Sequence, residues 1–331
     1  MSSHDENENA WIPGRSCPLA YRYDPAILAR SPDVVADTLY IAGGLYGNEQ
    51  ALETIVEMHA GEPGAALIFN GDFNWFNAEP EAFERINRSV LACRATRGNV
   101  ETELVSADET AGCGCAYPHW VSDAEVERSN AIMQRLRAVA REQPGIGMRL
   151  GALPVHLVAQ VGEARVGVVH GDLESLAGWD LAQENLRDDA DCRRIARQMH
   201  RADVRIVASS HTCLPVARAL TIDARAAAII NNGAAGMPNF CGQLYGVITR
   251  ISVRPSRSAP LYALRVDDLY VEALAVHYDH ERFKQAFERC WLPDSAAHRS
   301  YHRRIVAGPD YSMAQAVGQA ARPAFVTGDS A

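Results

Sequence analysis

No apolar run in this chain approaches the ~18 residues that a membrane-spanning helix requires. A membrane span is therefore not expected. The opening decapeptide, MSSHDENENA, has neither a basic nor an apolar segment, so it does not read as a secretory signal. The expected compartment is the cytoplasm. Positive charge is also in deficit: 32 Lys and Arg stand against 41 Asp and Glu, for a net charge of −9. That balance excludes a nucleic-acid partner held by bulk electrostatics. It leaves room for a nucleotide-sized anion, which needs only a local positive site such as a bound metal. There is no internal repeat, no low-complexity tract and no long linker, so one large domain with terminal extensions is expected. The 8 cysteines are scattered, and without a secretory signal they read as reduced thiols rather than a disulfide framework.

What is present suffices for a sizeable core, since 47% of the 331 residues are hydrophobic. Residues 1–35 are polar and then punctuated by Pro13, Pro18, Pro25 and Pro32, which reads as an extended N-terminal arm. Residues 36–280 read as the main domain. Apolar runs ending in turn residues predict strands at about 37–42, 65–70, 154–161, 165–169, 204–208 and 226–230. Helical spacing of Leu52, Ile55 and Val56, and of Phe83, Ile86, Val90 and Leu91, predicts helices at about 49–59 and from Pro80 onward. The capping box Ser122-Asp-Ala-Glu125 opens a long helix to about 142. Runs at 244–253 and 261–276 read as an antiparallel pair of strands. Residues 281–331 read as a helical extension with aromatic anchors and a mobile tail. The order β-α-β-α, followed by consecutive strands, predicts an α/β (α+β) fold of two mixed sheets packed face to face with helices outside.

The stretch Ala65–Phe76, AALIFNGDFNWF, breaks off its apolar run in Asn-Gly-Asp. Ligands of layered α/β folds gather at the carboxyl ends of strands. Asp72 stands at such an end, and so do Asn99, His170 and His211. Each alone is ordinary as a turn or hydrogen-bonded structural residue. Together they offer one carboxylate, one amide oxygen and two imidazoles, a donor set suited to Zn, Mn or Fe. Phe73, Trp75 and Phe76 either line a pocket that stacks a ring or pack against the adjoining helix. The Gly43-Gly44 turn precedes a helix and offers backbone N–H groups to a phosphate. Cys113-x-Cys115 is shorter than the usual opening of a structural zinc site. His119 and Cys93 would complete such a site, and a loop with two free thiols is the alternative.

The order Gly71-Asp72, Gly98-Asn99, His170-Gly171 and Ser210-His211-Thr212 resembles the calcineurin-like metallophosphoesterases. LYIAGGLYGNEQALETIV is similar to that family's opening strand, loop and helix. ATRGNVE is similar to its Gly-Asn-His block, and IINNGAAGMP to its closing strand end. The resemblance covers about residues 36–255. It implies a metallo-dependent phosphatase-like four-layer α-β-β-α sandwich of two mixed sheets. It also implies that Asp72, Asn99, His170 and His211 hold the second of the family's two metals. The first metal is depleted. Its Asp-x-His motif falls on Gly44 and Tyr46, and the second His of its Gly-His-x-His motif falls on Cys213. Only the bridging Asp72 and a Cys213 thiolate remain for that ion. The family's phosphoryl-contacting His falls on Val100, and the acidic residue after it is kept as Glu101.

One divalent transition metal (Mn, Fe or Zn) is therefore expected in preference to two. The implied activity is hydrolysis of a phosphomonoester or phosphodiester by a metal-bound hydroxide, with Asp72 and Asn99 at the reacting centre. Glu101, Tyr46 and Asp172 are candidates to replace the missing acid. Gly44, Tyr46, Trp75 and Asp172 are candidate substrate contacts. The implied partner is a small phosphorylated substrate or nucleotide, and a homo-oligomer is left open. The changes at 44, 46 and 100 also motivate a different reading, a non-catalytic nucleotide- or protein-binding protein on the same fold. A redox or zinc protein built on the cysteines is a third.

Overall fold

The structure is a computed structural model that describes residues 11–317. Along the chain run β1 (Val34–Ala36), β2 (Thr38–Ala42), α1 (Glu49–Ala60), β3 (Ala66–Asn70), α2 (Pro80–Val90), β4 (Arg94–Thr96) and α3 (Asn99–Val105). Then come α4 (Asp123–Arg141), α5 (Pro144–Gly151), β5 (His156–Val161), β6 (Ala164–Val169), α6 (Asp189–Arg201), β7 (Ile206–Ser209), β8 (Val216–Ile222) and β9 (Arg225–Asn231). The chain continues through β10 (Gly246–Ser252), β11 (Tyr262–Val266), β12 (Leu269–Val276), α7 (His280–Cys290), α8 (Ala296–Ala307) and α9 (Met313–Val317). Local chemistry sets several helix starts. Asn48 caps α1 by accepting from Ala51 N, Glu79 caps α2 just before Pro80, and Ser122 with Glu125 closes the capping box of α4.

The strands form two six-stranded mixed sheets. Their orders are β11-β12-β10-β2-β3-β4 and β1-β5-β6-β7-β9-β8. The period-2 alternation of strand side chains sorts the core into layers. Leu39 and Ile41 of β2 and Ile68 of β3 pack between the sheets against Leu157, Val166 and Ile206. Tyr40, Leu67 and Phe69 face the other way, onto Ile55 of α1, Phe83 and Ile86 of α2, and Leu136 of α4. The outer face of the second sheet packs Val158, Val207 and Ile229 on Ile195 and Met199 of α6. The result is the four-layer α-β-β-α order. No helix among the described residues is long and apolar enough to cross a membrane.

A second buried polar cluster lies on the outer face of the first sheet. Arg250 stands in register between Tyr40 on β2 and Glu272 on β12. Its guanidinium bonds Glu272 Oε2 at 2.7 Å and Glu62 Oε1 at 2.6 Å. Tyr40 Oη donates to Glu62 Oε2 at 2.6 Å.

Several local expectations change. The N-terminal stretch ends in β1, which pairs in parallel with β5. The run at 261–276 is two strands, because Asp267 adopts a φ of +50° and turns the chain between β11 and β12. Strand β8 alternates buried and exposed residues too weakly to stand out in sequence. Helix α5 is short and glycine-containing, and it starts from Pro144. The expected tail at 318–331 lies outside the described residues.

Candidate metal centre and its cavity

The strand ends are tied to one another before any ligand is considered. Asn70, the last residue of β3, donates to Val169 O at 2.8 Å and to Ser210 Oγ at 2.9 Å, and accepts from Thr96 Oγ1 at 2.9 Å. One side chain thus joins the ends of β3, β4 and β6 and the loop after β7. Asp72 follows in a left-handed conformation, at a φ of +52°. Such strain in a non-glycine residue persists only where surrounding contacts over-determine it. Here Glu101 supplies those contacts. Its carboxylate accepts from the backbone N–H of Asp72 at 2.7 Å, Gly98 at 3.0 Å and Asn74 at 3.2 Å. Gly98 is required by closeness: a β-carbon there would overlap Asp72 Oδ1.

Four acceptor atoms converge on one point. His170 Nε2 lies 3.2 Å from Asp72 Oδ2, 3.2 Å from Asn99 Oδ1 and 3.3 Å from His211 Nδ1. The outward atoms of these residues are all occupied. His170 Nδ1 donates to Asn70 O at 3.0 Å, and His211 Nε2 donates to Cys115 O at 2.9 Å. Asn99 Nδ2 donates to Cys113 O at 2.9 Å, and Asp72 Oδ1 accepts from Val100 N at 3.1 Å. Carbonyls only accept, so each imidazole must place its proton outward and its lone pair inward. Inward there remain two nitrogens and two oxygens with no donor among them. Buried acceptors facing one another call for a cation. All four residues are buried.

The electrostatics agree with that requirement. Burial alone would lower His170, but the Asp72 carboxylate holds it above its ordinary value. Burial and then the neighbouring His170 push His211 down to about 4. Burial opposes the charge of Asp72, yet His170 holds it below the usual carboxylate range. In the absence of a metal, the cluster answers its surplus of acceptors by making His170 easier to protonate. The donor set fits a divalent transition ion, and Asp72, Asn99, His170 and His211 are the residues that would hold it.

The other expected site residues fall in different places. Cys213 stands outside the Asp72–His170–His211 group. Its thiol accepts from Tyr46 Oη at 2.7 Å and donates to His211 O at 3.2 Å, and burial raises its pKa. The Tyr46 ring fills the space that a side chain at position 44 would occupy. Gly44 therefore serves by being small and does not line the cavity. Glu101 lies behind the turn, its oxygens committed to backbone N–H groups. Burial and then Asp72 push it up to about 7. Asp172 accepts from Glu174 N and Ser175 N at 2.8 Å each, and so organises the loop that carries Trp179. Trp75 lines the cavity, whereas Phe73 is fully buried and Phe76 packs on Phe287 and Tyr301. Among the described residues Cys113 and Cys115 belong to no metal-type group. They act through their carbonyls, which orient Asn99 and His211. His119 meets Trp120 edge-on instead of joining them.

The acceptors open into a cavity of about 240 Å³. Asp72, Asn99 and His211 form its floor, and Tyr46, Trp75, Tyr117 and Trp179 its walls. Helix α8 adds Ser300, Tyr301 and Arg304. Three contributions were missed in sequence: the Asn70 pin, the carbonyls of the Cys113–Cys115 loop, and the inward face of α8. Only the last left a signal, as aromatic residues in the C-terminal extension.

No family model matches this chain, and no curated protein matches it in sequence. Solved structures do match its architecture. A hypothetical protein from Pyrococcus horikoshii OT3 is 16% identical, with a TM-score of 0.53 over 84% of this chain and 100% of its own. A metallophosphoesterase from Sphaerobacter thermophilus is 18% identical, with a TM-score of 0.51 over 82% of this chain and 100% of its own. At these identities the likeness is one of architecture: the chain has the calcineurin-like metallophosphoesterase fold.

Proposed function

We propose that this protein is a phosphoesterase that works with one dominant divalent metal, held by Asp72, Asn99, His170 and His211. The observation that carries this reading is the set of four inward lone pairs with no donor among them. When bound, the cation supplies Lewis-acid polarisation of a phosphoryl oxygen and activation of water. The chain's own residues do the rest. The carbonyls of Cys113 and Cys115 and the N–H of Val100 hold the ligand atoms in place. Tyr46 and Cys213 fill the neighbouring space as a neutral, mutually bonded pair, which favours one ion over two. The aromatic walls exclude bulk water from the phosphoryl group. Burial keeps the Tyr46 phenol protonated, so at neutral pH it is a donor beside the cluster.

The test is metal analysis of the purified protein together with turnover of p-nitrophenyl phosphate and bis(p-nitrophenyl) phosphate. About one equivalent of transition metal is expected, with turnover that disappears in Asp72→Ala and His211→Ala. A metal-loaded protein that cleaves neither ester sinks the proposal. It would favour the second reading, binding without turnover, which the Tyr46–Cys213 pair and the buried Val100 support.

A further inference from the structure

Arg304 lies on α8, beyond the stretch that carries any recognisable motif, yet it lines the metal cavity. Its Nε donates to Pro238 O at 3.0 Å and its Nη2 to Cys213 O at 3.0 Å. Both acceptors are neutral carbonyls, and among the described residues Arg304 makes no salt bridge. Two fully buried arginines, unlike the half-buried Arg304, are paired with carboxylates, whereas the half-buried Arg205 and Arg218 also bond only carbonyls. Arg137 is matched by Glu103, and Arg250 by Glu62 and Glu272. Besides Asp72, the acidic residue lining the cavity is Glu125, whose carboxylate already accepts from Ser122 N and Oγ. The guanidinium is thus fixed in position while its charge stays uncompensated.

One small cavity therefore presents a cation-binding cluster and an unpaired arginine. A ligand complementary to both carries several anionic oxygens on one centre, as a phosphoryl dianion does. The walls are rings: Trp75 meets Tyr301 at a centroid distance of 6.5 Å, and Tyr117 meets Trp179 at 5.8 Å. The volume of about 240 Å³ falls below the roughly 300–1,000 Å³ of drug-sized sites. We propose that Arg304 anchors the phosphoryl group, and that the substrate class is a phosphomonoester of a single flat ring. The choice of substrate class rests on the phosphoesterase reading; the anion anchor does not.

The test pairs binding with kinetics on the metal-loaded, full-length protein. Inorganic phosphate, phenylphosphonate and methylphosphonate are each titrated calorimetrically, and turnover of p-nitrophenyl phosphate is followed. Wild type is expected to bind phenylphosphonate at least about tenfold more tightly than methylphosphonate, since ring stacking is available only to the former. Arg304→Gln should weaken phosphate binding and raise KM by roughly 10–100-fold, with kcat less affected and metal content unchanged. That variant also loses donors to two loop carbonyls. Arg304→Lys keeps the charge and should bring phosphate affinity back to within about tenfold of wild type. Unchanged phosphate affinity in Arg304→Gln, or no recovery in Arg304→Lys, overturns the anchor even where turnover persists. Arg304-dependent phosphate binding without any turnover upholds the anchor and removes the catalytic reading. Equal affinity for the two phosphonates overturns the substrate class.

Discussion

Arg250 with its partners, and Asp72 with its partners, are both buried polar clusters in one molecule. Around Arg250, donors and acceptors match: one guanidinium meets two carboxylates, and Tyr40 supplies a further donor. Around Asp72, acceptors meet acceptors, while the matching donors all lie outside the ring. The first cluster is complete without any added atom. The second is complete only with a cation or a proton. Burial and charge do not separate the two; hydrogen-bond accounting does, because an unmatched buried polar group costs far more than a matched one.

The contrast can be tested from both sides. The largest effect is expected for Arg250→Met, which strands the buried Glu272 carboxylate. Unfolding in urea should show a loss of about 3–5 kcal/mol, with metal content unchanged; a loss of metal would show the clusters to be coupled. Next comes Gly98→Ala, whose β-carbon overlaps Asp72 Oδ1. Metal affinity should fall by at least about 10–100-fold, as it does when ligand orientation is disturbed, and competition with a chromogenic chelator measures it.

Proton competition is smaller. His170 titrates above its ordinary value, so in the metal-free protein it carries a proton below that raised pKa. That proton's contribution to the metal-free fold is present at low pH and is lost as pH rises through the raised pKa. Metal affinity moves the opposite way, weakening by about tenfold per pH unit below it. Below that pKa, calorimetry in buffers of different ionisation enthalpy should find about one proton released per metal bound, and above it close to none. The smallest effect is the most diagnostic. Asp72→Asn introduces a donor into the ring, and asparagine tolerates the φ of +52°. Measured above the raised pKa of His170, where its inward nitrogen carries no proton, the metal-free protein should gain about 1 kcal/mol while losing the metal. A drop in stability would mean that the acceptors are not in conflict.

How much of this was legible in sequence follows from what carries each feature. Asp72, Asn99, His170 and His211 were visible because each follows an apolar strand, and strand ends converge in layered folds. Gly44, Tyr46 and Cys213 were visible as changes, but not as a set. Their mutual fit, with one residue small so that another's ring can take its space, exists only in three dimensions. The Cys113–Cys115 loop drew attention for its thiols, whereas its part is played by carbonyls, which every residue has and no motif records. Asn70 looked like the end of a strand. Arg304 was hidden most completely, since nothing about an arginine in an exposed-looking helix tells which way it faces.

The position of α8 along the chain has a consequence for biosynthesis. All four residues of the acceptor ring precede it, so on the ribosome their segments emerge before Ser300, Tyr301 and Arg304 do. Strand β2, between β3 and β10 in the finished sheet, likewise waits for β10 to emerge before it gains its second neighbour. A nascent chain therefore carries the four convergent acceptors before it has the α8 side of the cavity. The cavity gains Ser300, Tyr301 and Arg304, and so its full lining, only when α8 has docked.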